Sequence, residues 1–254
     1  MVFDAADDAY DRFMGGYSAV LAPVFADFAG IEAGQRALDV GAGTGALTAE
    51  LLRRLGPESV AVAEPSSRFV DGLRLRYPEL DVQPAPAEDL SWPDGQFDAA
   101  LAQLVIAFVT DAPKAVQELR RVVRADGVVA ICMWDLGGGM DMFAAIARAR
   151  RVVDENPVGD ERLSNWKPEE LRALLEGAGL RDVAVTTLEV ERDYSGYEEF
   201  WSALSAGVGP AGAWLATLDD AGHESMHAAM HRELGSPEGP FTLRARCTAA
   251  RGLV

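Results

Sequence analysis

The sequence predicts a single α/β domain: a seven-stranded, mostly parallel sheet with helices on both faces. Three observations lead there. From Arg36 onward, short apolar runs alternate with amphipathic helical stretches, the habit of a parallel sheet covered on both sides. The run Leu38-Asp39-Val40-Gly41-Ala42-Gly43-Thr44-Gly45 carries a strand into a glycine turn and then into a helix. A length of 254 residues suits one large core with a modest insertion better than two independent domains.

Taken in order, residues 1–35 read as a helical cap, with Phe13, Val20, Leu21, Val24, Phe25 and Phe28 near helical spacing and Gly30 and Gly34 closing it. Residues 36–135 form the core. Strands are expected at 36–40, 59–64, 80–84, 97–103, 128–134, 182–191 and 242–251. Helix 46–55 carries the stripe Leu47, Leu51, Leu52 and Leu55. Helix 112–124, capped by Asp111, buries Val116, Leu119 and Val123 before an Asp126-Gly127 turn feeds the fifth strand. Segment 139–178 should hold two helices parted by an irregular stretch around Asn156, Pro157 and Gly159. Segment 195–236 is longer than a hairpin requires and sets Tyr197, Phe200, Trp201 and Trp214 among glycines, which reads as an inserted helical lid.

Apolar residues at 49% and charged residues at 25% match ordinary globular usage. A formal charge of -17 repels phosphate, so neither nucleic acid nor an anionic membrane is an expected partner. Small or neutral acceptors are favoured, for a monomer or a homodimer. Cys132 and Cys247 fall in strands and read as apolar fillers without a disulfide. Asp4, Asp7, Asp8 and Asp11 stand where a signal peptide would be basic, and no stretch is apolar for long enough to span a bilayer, so a cytoplasmic location is expected.

The glycine run holds the chemistry. Glycine takes φ values closed to other residues and lets a ligand approach the main chain. With Ala46 the run also satisfies G-x-G-x-x-A, so the glycines alone admit either NAD or S-adenosylmethionine. Asp39 places a carboxylate near the turn, where it can orient the loop and answer an ammonium, whereas a pyrophosphate would be repelled. Glu64 ends the second strand at the spacing where an acidic side chain takes ribose hydroxyls.

At this point residues 36–135 resemble a class I methyltransferase of the ubiquinone/menaquinone-biosynthesis C-methyltransferase group, the methyltransferase type 11-like family. Ala87 through Asp98 resembles its adenine loop and fourth strand, and Glu118 through Val129 its next helix and fifth strand. Tyr10 through Ser18 resembles an N-terminal segment that closes over the methionine end. The resemblance implies a Rossmann-like fold whose last strand is antiparallel, and S-adenosylmethionine as cofactor with S-adenosylhomocysteine as product. It further implies that Gly41, Ala42, Gly43, Thr44 and Gly45 cradle the methionine portion, with Glu64 on the ribose and Pro65 and Ser66 near the adenine. Ala87 and Glu88 would border the other adenine edge, and Gln103 and Leu104 would lie under the sulfonium. Three positions depart from the pattern: Pro86 replaces a frequent Asp, Ala107 a frequent His, and Gly16 a basic residue, which leaves carboxylate binding to Arg12 with Tyr17 beside it.

Methyl transfer is an in-line displacement in which positioning and water exclusion can suffice. If a base is used, Tyr10, Tyr17, Asp135 and residues of the lid are the candidates, although Asp135 also suits a helix cap. Trp134, Trp166 and Trp201 are candidates for an aromatic wall or for core. His223, His227 and His231 recur at metal-binding spacing, yet their apolar neighbours favour a partly exposed helix flank, and no metal is expected. The leading reading is methyl transfer to oxygen, nitrogen or carbon of a small molecule, as in secondary metabolism. The alternatives are a cofactor-binding subunit without turnover and an NAD(P)-dependent oxidoreductase. The last lacks a Tyr-x-x-x-Lys pair, since Lys114 and Lys167 are the only lysines. Segments 10–17 and 195–236 are expected to form opposite walls of the acceptor pocket.

Overall fold

A computed structural model describes residues 11–154, 166–207 and 209–254, with the side chains of 11, 12 and 210 excepted. Seven strands, β1 (Ala37–Val40), β2 (Val60–Ala63), β3 (Asp81–Gln83), β4 (Phe97–Gln103), β5 (Val123–Trp134), β6 (Arg181–Tyr194) and β7 (Phe241–Leu253), form one sheet. Their order is β3-β2-β1-β4-β5-β7-β6. β1 pairs in parallel with β2 and β4, β2 with β3, and β4 with β5. β7 runs antiparallel to β5, from Val128 opposite Leu253 to Trp134 opposite Cys247.

The order reverses between β1 and β4, so the carboxyl ends of these two strands flank the switch point where open α/β sheets bind ligands. Every residue of β1 and β2 is buried, as expected of strands covered on both faces. One side of the sheet packs Leu38, Val40, Ala100 and Ala102 in a common cluster with Val116, Leu119, Leu171 and Leu175.

The helices are α1 (Gly16–Ala29), α2 (Ala46–Leu55), α3 (Ser67–Arg76), α4 (Ala112–Val122), α5 (Asp141–Val153), α6 (Pro168–Gly177), α7 (Tyr197–Ser205), α8 (Gly209–Leu215) and α9 (Asp220–Glu233), with a π-helical turn, Asp11–Gly15, before α1. Gly30 and Gly34 follow α1 with φ of 74° and 92°, a left-handed exit that stops the helix. The Asp111 carboxylate caps α4 by accepting from the Lys114 amide at 3.0 Å.

The end of α4 corrects the sequence expectation. The helix stops at Val122, and Val123 already pairs with Phe97. Two consecutive β-branched residues favour extended backbone. Asp126 (φ 61°) and Gly127 therefore lie inside β5, where the register slips between Phe97 and Ala99. Only glycine fits at 127, because a Cβ there would stand 2.6 Å from the Asp98 carbonyl oxygen.

Contacts within the chain gather in two compact units. The larger comprises 18–135, 165–188 and 247–254; the smaller comprises 1–17, 136–164 and 189–246. In the smaller unit α9 packs on α5, joined by Arg148 to Glu233 at 2.6 Å. Tyr194 stacks on Phe241 and meets Phe200 edge-on. The insertion expected at 195–236 is helical, as α7 to α9. The π-helical turn packs directly against α7. The irregular stretch expected around Asn156, Pro157 and Gly159 lies outside the described residues.

Cys132 and Cys247 are free and buried. Among the described residues no helix is long and apolar enough to cross a membrane.

Candidate cofactor site at the glycine loop

β1 delivers the chain into Gly41, Gly43 and Gly45, all left-handed with φ of 73°, 56° and 92°. Two of the three are required by packing. A Cβ on Gly41 would lie 2.6 Å from a Val105 methyl, and one on Gly45 would lie 2.8 Å from a Leu73 methyl. Around Gly43 there is nothing within 4 Å of that position, so the middle of the loop offers the open approach a ligand needs. Gly41 to Thr44 are half-buried. Gly45 starts α2 without a side-chain cap, and uncapped helical amides form a positive, donor-rich end.

Glu64 binds this loop to the next strand. It is 5% exposed, and its two carboxylate oxygens accept from the Gly43 amide at 2.8 Å and the Ser66 amide at 2.9 Å. Burial pushes its carboxyl above the usual range, while the two amides pull it back. Ser66 precedes α3 and is half-buried, and Pro65 is exposed.

Asp39 behaves differently from Glu64. It is 1% exposed, and its carboxylate accepts from the Thr48 hydroxyl at 2.6 Å. Burial pushes the Asp39 carboxyl up to about 7, with the Thr48 bond opposing and Glu64 reinforcing the shift. The pair ties β1 to the first turn of α2 and so orients the loop, the first role anticipated for Asp39. Thr48 was not singled out from the sequence, although it stands one residue from Leu47 on the face that α2 buries.

Ala87 is buried. Glu88 accepts from the Thr110 and Asp111 amides at 2.7 and 3.2 Å, and so holds the turn before α4. Gln103 ends β4, donates from Nε2 to the Ser18 carbonyl at 3.1 Å, and keeps Oε1 enclosed without a hydrogen-bond partner. Leu104 has φ 65° and bonds to the Cys132 carbonyl at 2.9 Å. Gly41 to Gly45, Glu64, Ser66 and Gln103 thus gather at the carboxyl ends of β1, β2 and β4.

Of the remaining candidates, Tyr17 belongs to the smaller unit and Asp135 follows β5. Tyr17 is fully enclosed in the smaller unit, with its phenol 3.4 Å from that of Tyr194. Burial pushes its pKa far up, which makes it a poor proton acceptor at neutral pH. Asp135 is half-buried, and the N-cap of α5 is Met140, so the capping role considered for Asp135 is not the one it fills. Tyr10 and the side chain of Arg12 lie outside the described residues.

Gly16 has a local reason. A Cβ there would lie 2.7 Å from the Arg192 guanidinium, which donates to the Phe13 carbonyl and lies over the Tyr17 and Tyr194 rings. Arg192 carries no motif that would reveal it in sequence. His227 and His231 meet Tyr197 edge-on, with His227 3.3 Å from Glu198. Trp134 is buried, and Trp201 packs on Tyr197 and His227.

Comparison with known proteins agrees with this geometry. Residues 38–131 match the family described as Methyltransferase domain. A malonyl-[acyl-carrier protein] O-methyltransferase of Geobacter sulfurreducens is 32% identical over 170 residues, 65% of this chain and 62% of that protein. One from Halorhodospira halophila is 31% identical over 138 residues, 51% of this chain and 47% of that protein. The chain therefore spans about half to three fifths of the length of these relatives. The solved structure of a putative type II methyltransferase from Anaeromyxobacter dehalogenans superposes with a TM-score of 0.61 at 22% identity, covering 92% of this chain and 95% of that one, which shows the fold. Residues 38–131 are thus a class I methyltransferase domain, a family whose methyl donor is S-adenosylmethionine.

Proposed function

We propose that the chain is an S-adenosylmethionine-dependent methyltransferase acting on a small-molecule acceptor and releasing S-adenosylhomocysteine. The observation that carries the reading is the glycine loop: Gly41 and Gly45 are locked by Val105 and Leu73, while Gly43 faces open space and is anchored by Glu64. The residues present fit the cofactor. Gly41 to Gly45 offer main-chain amides to the methionyl part, and Glu64 suits the ribose hydroxyls. Pro65, Ser66, Ala87 and Glu88 suit the adenine surroundings, and Gln103 and Leu104 the sulfonium end.

When bound, the sulfonium supplies an electrophilic methyl group and a good leaving group. The chain's share of the work is to bind, orient and exclude water. Of the base candidates, Tyr17 is enclosed and engaged with Tyr194, so it is not set up to take a proton. An acceptor that is already ionised at neutral pH suits such a site, and an oxygen acceptor is further favoured by the names of the two O-methyltransferase relatives. The lack of a Tyr-x-x-x-Lys pair, with Lys114 and Lys167 the only lysines, supports the methyl donor over NAD.

Titration calorimetry is the test. S-adenosylmethionine and S-adenosylhomocysteine should bind with heat while NAD gives none, and a matched acceptor should yield S-adenosylhomocysteine. Tight NAD binding with no response to either methionine-derived ligand would sink the reading.

A further inference from the structure

The glycine loop is braced from both ends of one helix. α3 begins beside Glu64, which divides its carboxylate between the Ser66 amide at the helix entrance and the Gly43 amide in the loop. It finishes at Arg76, whose guanidinium Nη1 donates to the Thr44 carbonyl at 2.9 Å. Leu73 and Tyr77 lie against Gly45 beside this last turn: a Cβ there would stand 2.8 Å from the leucine methyl and 3.6 Å from the tyrosine ring. α3 has ten residues, about 15 Å from end to end, yet the two attachments fall on consecutive residues of the loop, Gly43 and Thr44.

The turn that holds Arg76 carries a second arginine with a different task. Arg74 donates to the Val82 carbonyl at 2.7 Å and so ties α3 to β3. Both arginines are exposed, and one exposed hydrogen bond contributes modestly to the stability of a whole chain. What Arg76 fixes is local. The Ala42-Gly43 peptide is held through its N–H by Glu64; the Thr44-Gly45 peptide is held through its C=O by Arg76 and through its N–H by the Ala42 carbonyl at 2.9 Å. The peptide between them, the Gly43 C=O with the Thr44 N–H, borders the open approach, where a Cβ on Gly43 would meet nothing within 4 Å. Its orientation is therefore set by its two held neighbours.

We propose that Arg76 is a positioning residue for the cofactor: without touching the ligand, it holds the Thr44-Gly45 peptide so that the loop has its binding shape before the methionyl part arrives. This rests on the cofactor reading given above. A loop ordered in advance gives up less conformational freedom on binding, and only ligands that reach the loop gain from it. A nucleoside without the aminocarboxylate should be indifferent to Arg76.

The test uses the full chain and two ligands, S-adenosylhomocysteine and 5′-methylthioadenosine, which keeps the nucleoside and thioether but lacks the aminocarboxylate. Arg76→Met, which removes the donor and keeps an apolar stem, should weaken S-adenosylhomocysteine roughly 3- to 10-fold by calorimetry, the scale of one hydrogen bond, and leave 5′-methylthioadenosine within about twofold. Arg76→Lys, which supplies a donor again, should recover most of the affinity. Arg74→Met should leave both ligands within about twofold, because its bond goes to the sheet. In the unliganded proteins, amide hydrogen exchange over residues 42–46 should be faster in Arg76→Met than in the unsubstituted chain, a change that a direct contact between Arg76 and the ligand would not produce. Equal weakening of both ligands, weakening of neither, an equal loss in Arg74→Met, no recovery with lysine, or unchanged exchange would overturn the inference while leaving the cofactor reading intact. Failure of the unsubstituted protein to bind either nucleoside would overturn both.

Discussion

The glycine loop of the larger unit and the aromatic cluster of the smaller one treat their polar groups in opposite ways. At the glycine loop of the larger unit, Gly43 opens onto unfilled space, α2 begins without a side-chain cap and Gln103 keeps an acceptor unmade. In the smaller unit the conspicuous polar groups close on their own neighbours: Arg192 on Phe13 and two tyrosines, Tyr197 on the His227 carbonyl, Ser195 on Glu199. The difference teaches where to look for chemistry. Groups satisfied within the chain hold it together, whereas groups left unmade at a constrained turn are set for something the chain does not contain.

A pair of glycines offers the sharpest way to break that comparison. Gly43→Val should abolish S-adenosylhomocysteine binding, more than about 100-fold, because its branched side chain enters the open approach and needs a φ closed to it. Its effect on folding should be the smaller one. Gly16→Ala should do the reverse, lowering stability by about 1–2 kcal/mol as Arg192 is displaced, with little change in cofactor affinity. If calorimetry and thermal melts show the two variants behaving alike, the division between receptive and self-satisfied regions is wrong.

Glu64→Ala comes next. It removes a carboxylate on which the Gly43 and Ser66 amides depend, and cofactor affinity should fall by about 1–3 kcal/mol. Unchanged affinity by calorimetry would make Glu64 a purely structural clamp.

The smallest effect concerns Asp39. Its carboxyl is raised from 3.8 to about 7 in the folded chain, so between these values the folded form holds a proton that the unfolded form has released. This contribution is fully present below about pH 4 and is lost as pH rises through about 7. Asp39→Asn keeps an acceptor for Thr48 without the charge, so melting temperatures from pH 5 to 8 should decline less in the variant, by a few degrees. Parallel curves for the two proteins would show that Asp39 is not the titrating group.

Much of the larger unit was legible in the sequence, because its signals are local. Strands bounded by turn residues fall within about three residues of their expected ends, apart from β5, and helix 46–55 coincides with α2. The start of β5 was misread since Asp126-Gly127 is an ordinary turn signal, and only the pairing of Val123 with Phe97 turns it into a bulge. Residue types at the site were legible, but their bonds were not. A carboxylate before the glycines could be seen, while its commitment to Thr48 depends on how α2 docks. Gly16 looked like a missing cation because Arg192, which lies against it, comes from the far end of the chain. The match of residues 38–131 to a methyltransferase domain bears out the family that was read from the glycine loop and its flanking stretches.

The strand order also bears on how the chain is made. β1 to β5 can join the sheet as they emerge from the ribosome, since each finds its neighbour already present or soon to follow. β6 cannot. Its place is beside β7 and not beside β5, and β7 is translated only after the whole of α7, α8 and α9. Until then β6 is a finished strand without a partner, exposing an unpaired edge to solvent and to other nascent chains. The interval is a window for association with a chaperone or for aggregation, and the insertion sets its duration: any lengthening between Tyr194 and Phe241 prolongs it.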